Sequence, residues 1–283
     1  MFRSILVVLA ATAFLVVVGA APSSTQAVPH RIVSLSPTAT EDLFAIGAGP
    51  QVVAVDSASD YPKSAPRTKL SGLTPNAEAI VGLHPDLVVI QFDPNKLVPA
   101  LAKAKIKTLV EPSAPTLAAA YGQLEQLGRV TGHLGQAKAL VTRLKARIAA
   151  LVAAAPKPSA PLTVYDELSP DYYSASSKTF IGQVLGLFGL KNIADAADSS
   201  GSGYPQLSGE YIVGANPDLI VLLDSVCCGQ TRATVAARPG WTGLTAVKRG
   251  AIVRVDDSVA SRWGPRVVLF VRALASALKT LEG

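Results

Sequence analysis

Glu78 to Ile90 reads EAIVGLHPDLVVI, and 132 positions later Glu210 to Leu222 reads EYIVGANPDLIVL, with eight of thirteen positions identical and no gap. Solenoid repeats recur every 20 to 50 residues, roughly, which is far too short a period for this pair. The chain is therefore expected to hold two copies of one domain. Each copy predicts a short helix followed by a buried strand. Asn76 and Ser208 are side-chain acceptors suited to the N-cap, and Glu78 and Glu210 then fall in the first turn, where negative charge meets the positive helix end. Pro85 and Pro217 bias the preceding residue away from helix, and Gly82 and Gly214 are expected to weaken the last turn. Leu87 to Ile90 and Leu219 to Leu223 are continuous apolar runs, the pattern of a parallel strand covered on both faces.

The same alternation extends outward from the repeat. Strands are predicted at Arg31–Leu35, Val52–Val55 and Ile106–Val110, then at Leu162–Tyr165, Asn192–Ala194 and Ile252–Val255, with helices and short loops between them. This gives two α/β lobes with parallel sheets. Between them Thr116–Ala155 reads as linker helices interrupted at Thr131-Gly132. The second part places Leu140, Leu144, Ile148 and Leu151 on one stripe, with Lys138, Arg143, Lys145 and Arg147 off it. At 1.5 Å per residue it spans roughly 30 Å, enough to cross from one lobe to the other as a single rigid connection. The expected divisions are a signal segment at 1–27, a first lobe at 28–115, linker helices at 116–155 and a second lobe at 156–283.

The 283 residues are enough for two lobes with cores of their own, and 49% hydrophobic against 16% charged argues for compact folding rather than disorder. The formal charge is +6, but its Lys and Arg are scattered with few aromatics nearby, so no nucleic-acid partner is expected. Arg3, the apolar run Ile5–Val18 and the small and polar residues up to Ala27 form the three-part pattern of a secretory signal, with cleavage fitting after Ala27 or Ala20. An uncleaved membrane anchor is the alternative. An exported protein is expected either way.

Ligands of open parallel sheets sit outside the carboxyl ends of the strands. The loops there hold Tyr61, Phe92, Tyr172, Tyr173, Tyr204 and Trp263, a set suited to a large, flat or greasy ligand held between two walls. No G-x-S-x-G elbow, phosphate loop, dinucleotide fingerprint or H-E-x-x-H occurs, so no catalytic residues are expected. His30, His84 and His133 lie far apart in the pattern, which leaves no expected metal site. Cys227 and Cys228, the only cysteines, are adjacent. Neighbouring Cα atoms are about 3.8 Å apart, shorter than the usual 4.4 to 6.8 Å, roughly, of a bridge, so a vicinal disulfide would be strained; it is nonetheless the expectation for an exported chain, with free thiols or an intermolecular bridge as alternatives.

Several segments in this order resemble the substrate-binding proteins of ABC importers for cobalamin, ferric siderophores and haem: Arg31-Ile32-Val33-Ser34-Leu35-Ser36-Pro37, Ser59-Asp60-Tyr61-Pro62, His84-Pro85-Asp86-Leu87, Ala175-Ser176-Ser177-Lys178, Arg238-Pro239-Gly240-Trp241 and Pro265-Arg266. The resemblance covers nearly the whole mature chain and is nearest to the cobalamin-binding members. It implies two lobes joined by one long helix, a ligand clamped between them, and delivery by a monomer to a membrane permease dimer. Tyr61, Phe92, Tyr173, Tyr204 and Arg262 fall on the family's cleft positions, and Glu78 and Glu210 on its docking glutamates. A tryptophan that some members place near Gly72 is missing here, and the Cys pair is not general. Aromatics outnumber cations on these loops, which points to a nearly neutral corrinoid as ligand rather than an anionic ferric siderophore. Haem stays open, since Tyr172 or Tyr173 could ligate iron. No other cofactor is expected.

Overall fold

The computed structural model describes residues 27–282. The expected signal segment therefore lies, but for its last residue, outside the described residues. Two four-stranded parallel sheets form the frame. The first contains β1 (Ile32–Leu35), β2 (Val52–Val55), β3 (Leu87–Ile90) and β4 (Lys107–Val110), in the order β2-β1-β3-β4. The crossovers are α1 (Pro37–Ala45), α2 (Ala77–Val81) and α3 (Leu97–Lys103). Next come α4 (Leu117–Thr131) and α5 (Leu134–Ala153), separated at Gly132, whose φ of +78° turns the chain. The second sheet is built from β5 (Thr163–Glu167), β6 (Lys191–Asn192), β7 (Leu219–Leu222) and β8 (Ile252–Arg254), in the matching order β6-β5-β7-β8. Its helices are α6 (Phe180–Gly186), α7 (Gly209–Ala215), α8 (Arg232–Ala236), α9 (Thr245–Lys248), α10 (Asp257–Ser261) and α11 (Val267–Glu282). Both repeat copies occupy equivalent places: α2-β3 in one lobe, α7-β7 in the other.

The repeat has a stereochemical reason beyond packing. Asn76 and Ser208 cap their helices by accepting from the amides of Ala79 and Tyr211. Asp86 accepts from the amides of His30 and Arg31 at 2.8 and 3.0 Å, and Asp218 accepts from the amide and hydroxyl of Thr163 at 2.9 Å each. Each aspartate thus ties the start of its own strand to the start of the lobe's first strand and fixes the parallel register. The helices end differently from the glycine-weakened turn expected. Gly82 keeps a right-handed φ of −60° and Gly214 lies inside α7; the reversal comes two residues later, at His84 (φ +50°) and Asn216 (φ +45°). The following proline bars the helical conformation there.

One apolar core runs through the molecule. It includes Ile32, Leu43 and Val89 from the first lobe, Leu124, Val141 and Ile148 from the linker helices, and Tyr165, Ile220 and Phe270 from the second. A smaller cluster with Val33, Ile80, Val88 and Leu101 covers the first sheet's other face under α2 and α3. The linker also contributes to the larger core: α4 and α5 pack on each other, and α11 packs on α5. The strand expected at Asn192–Ala194 stops at Asn192. That residue's side chain bonds Asp166, the Ala175 carbonyl and the Ala194 amide, which turns the chain into the 3-10 helix Ile193–Ala197.

Replacing Asp218 with Ala leaves both Thr163 donors without this acceptor and should lower stability by about 1–3 kcal/mol. Asp86 is exposed, so the same change there should cost less. Urea midpoints of the two variants check this ordering.

Candidate functional site: the facing strand ends

Arg262, on the loop after α10, reaches the other lobe. Its Nη1 donates to Glu41 Oε1 at 3.0 Å and to Asp60 Oδ1 at 2.7 Å, and its Nη2 to the Ala58 carbonyl at 3.0 Å. Arg266 adds two bonds to Glu41, from Nε at 2.8 Å and Nη2 at 2.6 Å, and lies 4.5 Å over the Tyr61 ring. Ala58 and Asp60 follow β2, and Arg262 follows β8. The carboxyl ends of the two sheets therefore face each other across a cleft, and these contacts close one end of it. Burial works to raise the Asp60 carboxyl, but the Arg262 hydrogen bond and charge outweigh it, holding the group below its ordinary range.

The exposed apolar side chains concentrate on these edges. The first lobe presents Tyr61 (45% exposed), Leu73 (72%) and Phe92 (43%), and the second Tyr173 (44%), Tyr204 (50%) and Val226 (64%). Leu73 is held by a close approach: a Cβ on Gly72 would stand 2.5 Å from the Leu35 carbonyl oxygen, so only glycine lets this loop lie on the end of β1. Tyr173 and Tyr204 sit on a two-stranded ribbon. Ser174 donates to the Pro205 carbonyl, Ser176 to Gly203 and Leu207 to Tyr172. Asp198 pins that ribbon by accepting from the Ser176 hydroxyl and the Gly203 amide.

Three expected contact residues are not free to meet a ligand. Tyr172 turns away and stacks on Trp241 at 5.8 Å with Arg238 above both rings, so it cannot reach an iron in the cleft. Trp263 is buried, with its indole donating to Gln123 Oε1 on α4 at 2.7 Å. Arg262 is spent on the other lobe and is no free cation. Conversely, Leu73 and Val226 lie on loops that the strand-end rule marks, but an aliphatic residue carries no signal of its own there.

The chain's matches to known proteins agree with this geometry. A family model described as periplasmic binding protein matches residues 32–259. The chain belongs to that family. It is 33% identical over 259 residues to a cobalamin-binding protein of Halobacterium salinarum, covering 88% of this chain and 69% of that one. It is 30% identical over 269 residues to a vitamin B12-binding protein of Pectobacterium atrosepticum, covering 92% of each. The solved periplasmic heme-binding protein RhuT from Roseiflexus sp. RS-1 superposes with a TM-score of 0.77 at 25% identity, covering 90% of this chain and 99% of that one. Periplasmic binding proteins work outside the cytoplasm as the capture component of transport. No described helix is long and apolar enough to cross a membrane.

Within this family member, the Arg238-Pro239-Gly240-Trp241 segment serves as a pillar beneath the second wall. Arg238 forms a two-pronged pair with buried Glu167, from Nη1 at 2.5 Å and Nη2 at 2.7 Å, and the Tyr165 hydroxyl donates to the same carboxylate at 3.1 Å. Beside it Asp224 is fully buried at the end of β7, and neither carboxyl oxygen has a hydrogen-bond partner among the described residues. Burial, then the adjacent Glu167, pushes its pKa up to about 7. Asp166 and Glu111 are raised to about 7 as well, chiefly by burial. Above Asp224 the vicinal disulfide expected of Cys227 and Cys228 is absent; both are exposed free thiols. The Cys228 amide closes a turn on the Asp224 carbonyl, and the Cys227 amide donates to Asp257. Desolvation, with the Cys228 hydrogen bond and Asp257, pushes the Cys227 thiol up to about 12, and a thiol held protonated is slow to oxidise. Among the described residues no three His, Cys, Asp or Glu side chains converge to hold a metal ion.

A carboxyl whose pKa is raised by folding binds its proton more tightly in the folded state. Its stabilising effect is complete below the unfolded value near 4 and is lost as pH rises through about 7. Wild-type Tm should therefore lose a component between pH 5 and 7.5 that Asp224→Asn does not lose. Parallel wild-type and variant slopes in calorimetry would assign the loss to other groups.

Proposed function

We propose that this protein is an extracytoplasmic receptor that captures cobalamin or a related corrinoid between its lobes and hands it to an ABC importer. The observation that carries this reading is the pairing of an apolar cleft rim with cations that are already engaged. Arg262 and Arg266 are held by Glu41, and Lys178 lies 3.6 Å from Asp198. A ferric catecholate, strongly anionic, needs several free cations converging on it. A bulky and nearly neutral corrinoid instead needs flat apolar walls, which Tyr61, Leu73 and Phe92 supply on one side and Tyr173, Tyr204 and Val226 on the other. The names of the relatives support the same ligand. Haem is the second reading, favoured by the exposed Tyr173 as an iron ligand and by the likeness to the Roseiflexus protein. Tyr204 fits that role less well, because burial and then the charge of Asp166 raise its phenol and disfavour the phenolate. The residue ranges for signal segment, lobes and linker, cleavage or retention of the N-terminal segment, and action as a monomer belong to the same proposal.

Glu78 and Glu210 complete it as docking residues. Both are exposed at the second position of a helix that leads into a parallel strand, which puts them on the cleft side of each lobe. Among the described residues neither forms an ion pair. Two matched charges held at a fixed separation would orient the receptor on a two-fold symmetric permease and speed encounter.

Calorimetric titration should show one cyanocobalamin per chain, with Phe92→Ala and Tyr204→Ala each weakening it about tenfold, the size expected when one aromatic contact is lost. Tighter binding of haemin, or of a ferric catecholate, would replace the corrinoid assignment. Both tryptophans are buried, so heat or the ligand's own absorbance is a better readout than indole emission. Glu78→Gln with Glu210→Gln should leave that affinity intact while abolishing uptake in cells that rely on this receptor. Uptake at the wild-type rate would reduce both glutamates to helix-dipole partners.

A further inference from the structure

A groove of about 600 Å³ opens beside the cleft, where α1 of the first lobe, α5 of the linker and α11 of the second lobe meet. Its floor is apolar. Leu140 and Leu144 of α5 line it together with Leu269 of α11, which stays 45% exposed although its neighbours Val268 and Phe270 are buried. Arg143, Arg147 and Arg272 also line the groove, and all three are exposed. Among the described residues none of the three forms an ion pair. Glu41 is the one carboxylate in the lining, and both its oxygens are already bound by Arg262 and Arg266. Arg143 and Arg147 are four residues apart on α5 and so stand side by side.

Three like charges grouped over apolar surface repel one another with no local counter-charge, and an anion placed among them removes that repulsion. The groove's volume lies within the roughly 300 to 1,000 Å³ common for small-molecule sites. The geometry points to a second binding site, for an amphipathic organic anion. Its carboxylate or phosphate head is held by Arg143, Arg147 and Arg272, and its aliphatic body covers Leu140, Leu144 and Leu269. The occupant is a single dissolved molecule rather than a membrane surface, because the apolar floor is recessed in a groove between three helices. Tyr61 lines this groove as well as the cleft, with Arg266 stacked on its ring, so an occupant rests beside the wall of the ligand cleft. The inference does not depend on what the cleft binds.

Calorimetry on the whole protein tests it with sodium dodecanoate and dodecyl phosphate, each below its aggregation concentration, with dodecanol and sodium acetate as single-feature controls. One saturable site per chain is expected for at least one amphiphile, and the tighter of the two identifies the preferred head group. Affinity should fall with salt, and at least tenfold in Arg143→Gln/Arg147→Gln/Arg272→Gln and in Leu269→Glu, with thermal melting of both variants near wild type. Equal binding of dodecanol, unsaturable uptake, or variants that bind as well as wild type would overturn the site. Sedimentation with phosphatidylglycerol vesicles provides the other arm. Vesicle binding that the triple variant loses, while neither monomeric amphiphile binds, would make this a membrane-facing surface and also overturn it.

Discussion

Glu41 carries the geometry of the whole cleft. It is 3% exposed at the start of the first lobe, and it receives three guanidinium hydrogen bonds from Arg262 and Arg266 of the second. Burying such an ion cluster gains little net stability, because lost hydration offsets most of the Coulomb attraction. Removing one member is costly, about 3–5 kcal/mol, since its partners are left buried and unpaired. What the cluster supplies is orientation. Guanidinium groups bind carboxylates in a fixed planar geometry, which apolar contacts between α5 and α11 do not impose. The two sheet edges are thus held at one angle, and the core running through α4 and α5 prevents them from drifting apart.

The character of the cleft follows from the same cluster. Arginines on strand-end loops would ordinarily make a site attractive to anions. Here they are consumed in joining the lobes, and Tyr61 is pinned under Arg266 instead of facing a ligand cation. The rim left to a ligand is aromatic and aliphatic, built on loops whose backbones are tied down by Gly72, Asp198 and the ribbon around Tyr173. Rigid walls bind at lower entropic cost than mobile ones. Arg143, Arg147 and Arg272, which form no ion pair among the described residues, stand outside it on α5 and α11.

The fold was largely readable because its determinants are local or repeated. Caps at Asn76 and Ser208, prolines at 85 and 217, and apolar runs at the strands each act within a few residues, and the second copy checks the first. The site was readable only to the level of loops. That Tyr61, Phe92, Tyr173 and Tyr204 lie at strand ends follows from alternation of elements, and they do stand exposed there. Which way a loop side chain turns depends on distant partners: Trp241 draws Tyr172 aside, Gln123 takes the indole of Trp263, and Glu41 captures Arg262 from 221 residues away. Nothing near those residues in the chain encodes the outcome. Leu73 and Val226 were missed for another reason, since exposed aliphatic residues look the same in sequence as buried ones.

The claim that Glu41 and its two arginines fix the lobes can be measured as a distance. Spin labels at Ser64→Cys and Ser202→Cys, both exposed and on opposite lobes, would be read by double electron–electron resonance in a Cys227→Ser/Cys228→Ser background. If the cluster fixes the lobes, one narrow distance distribution is expected, unmoved by cyanocobalamin and clearly broadened by Glu41→Gln. A broad or two-peaked distribution in the chain with Glu41 intact, or one that Glu41→Gln leaves untouched, would contradict it.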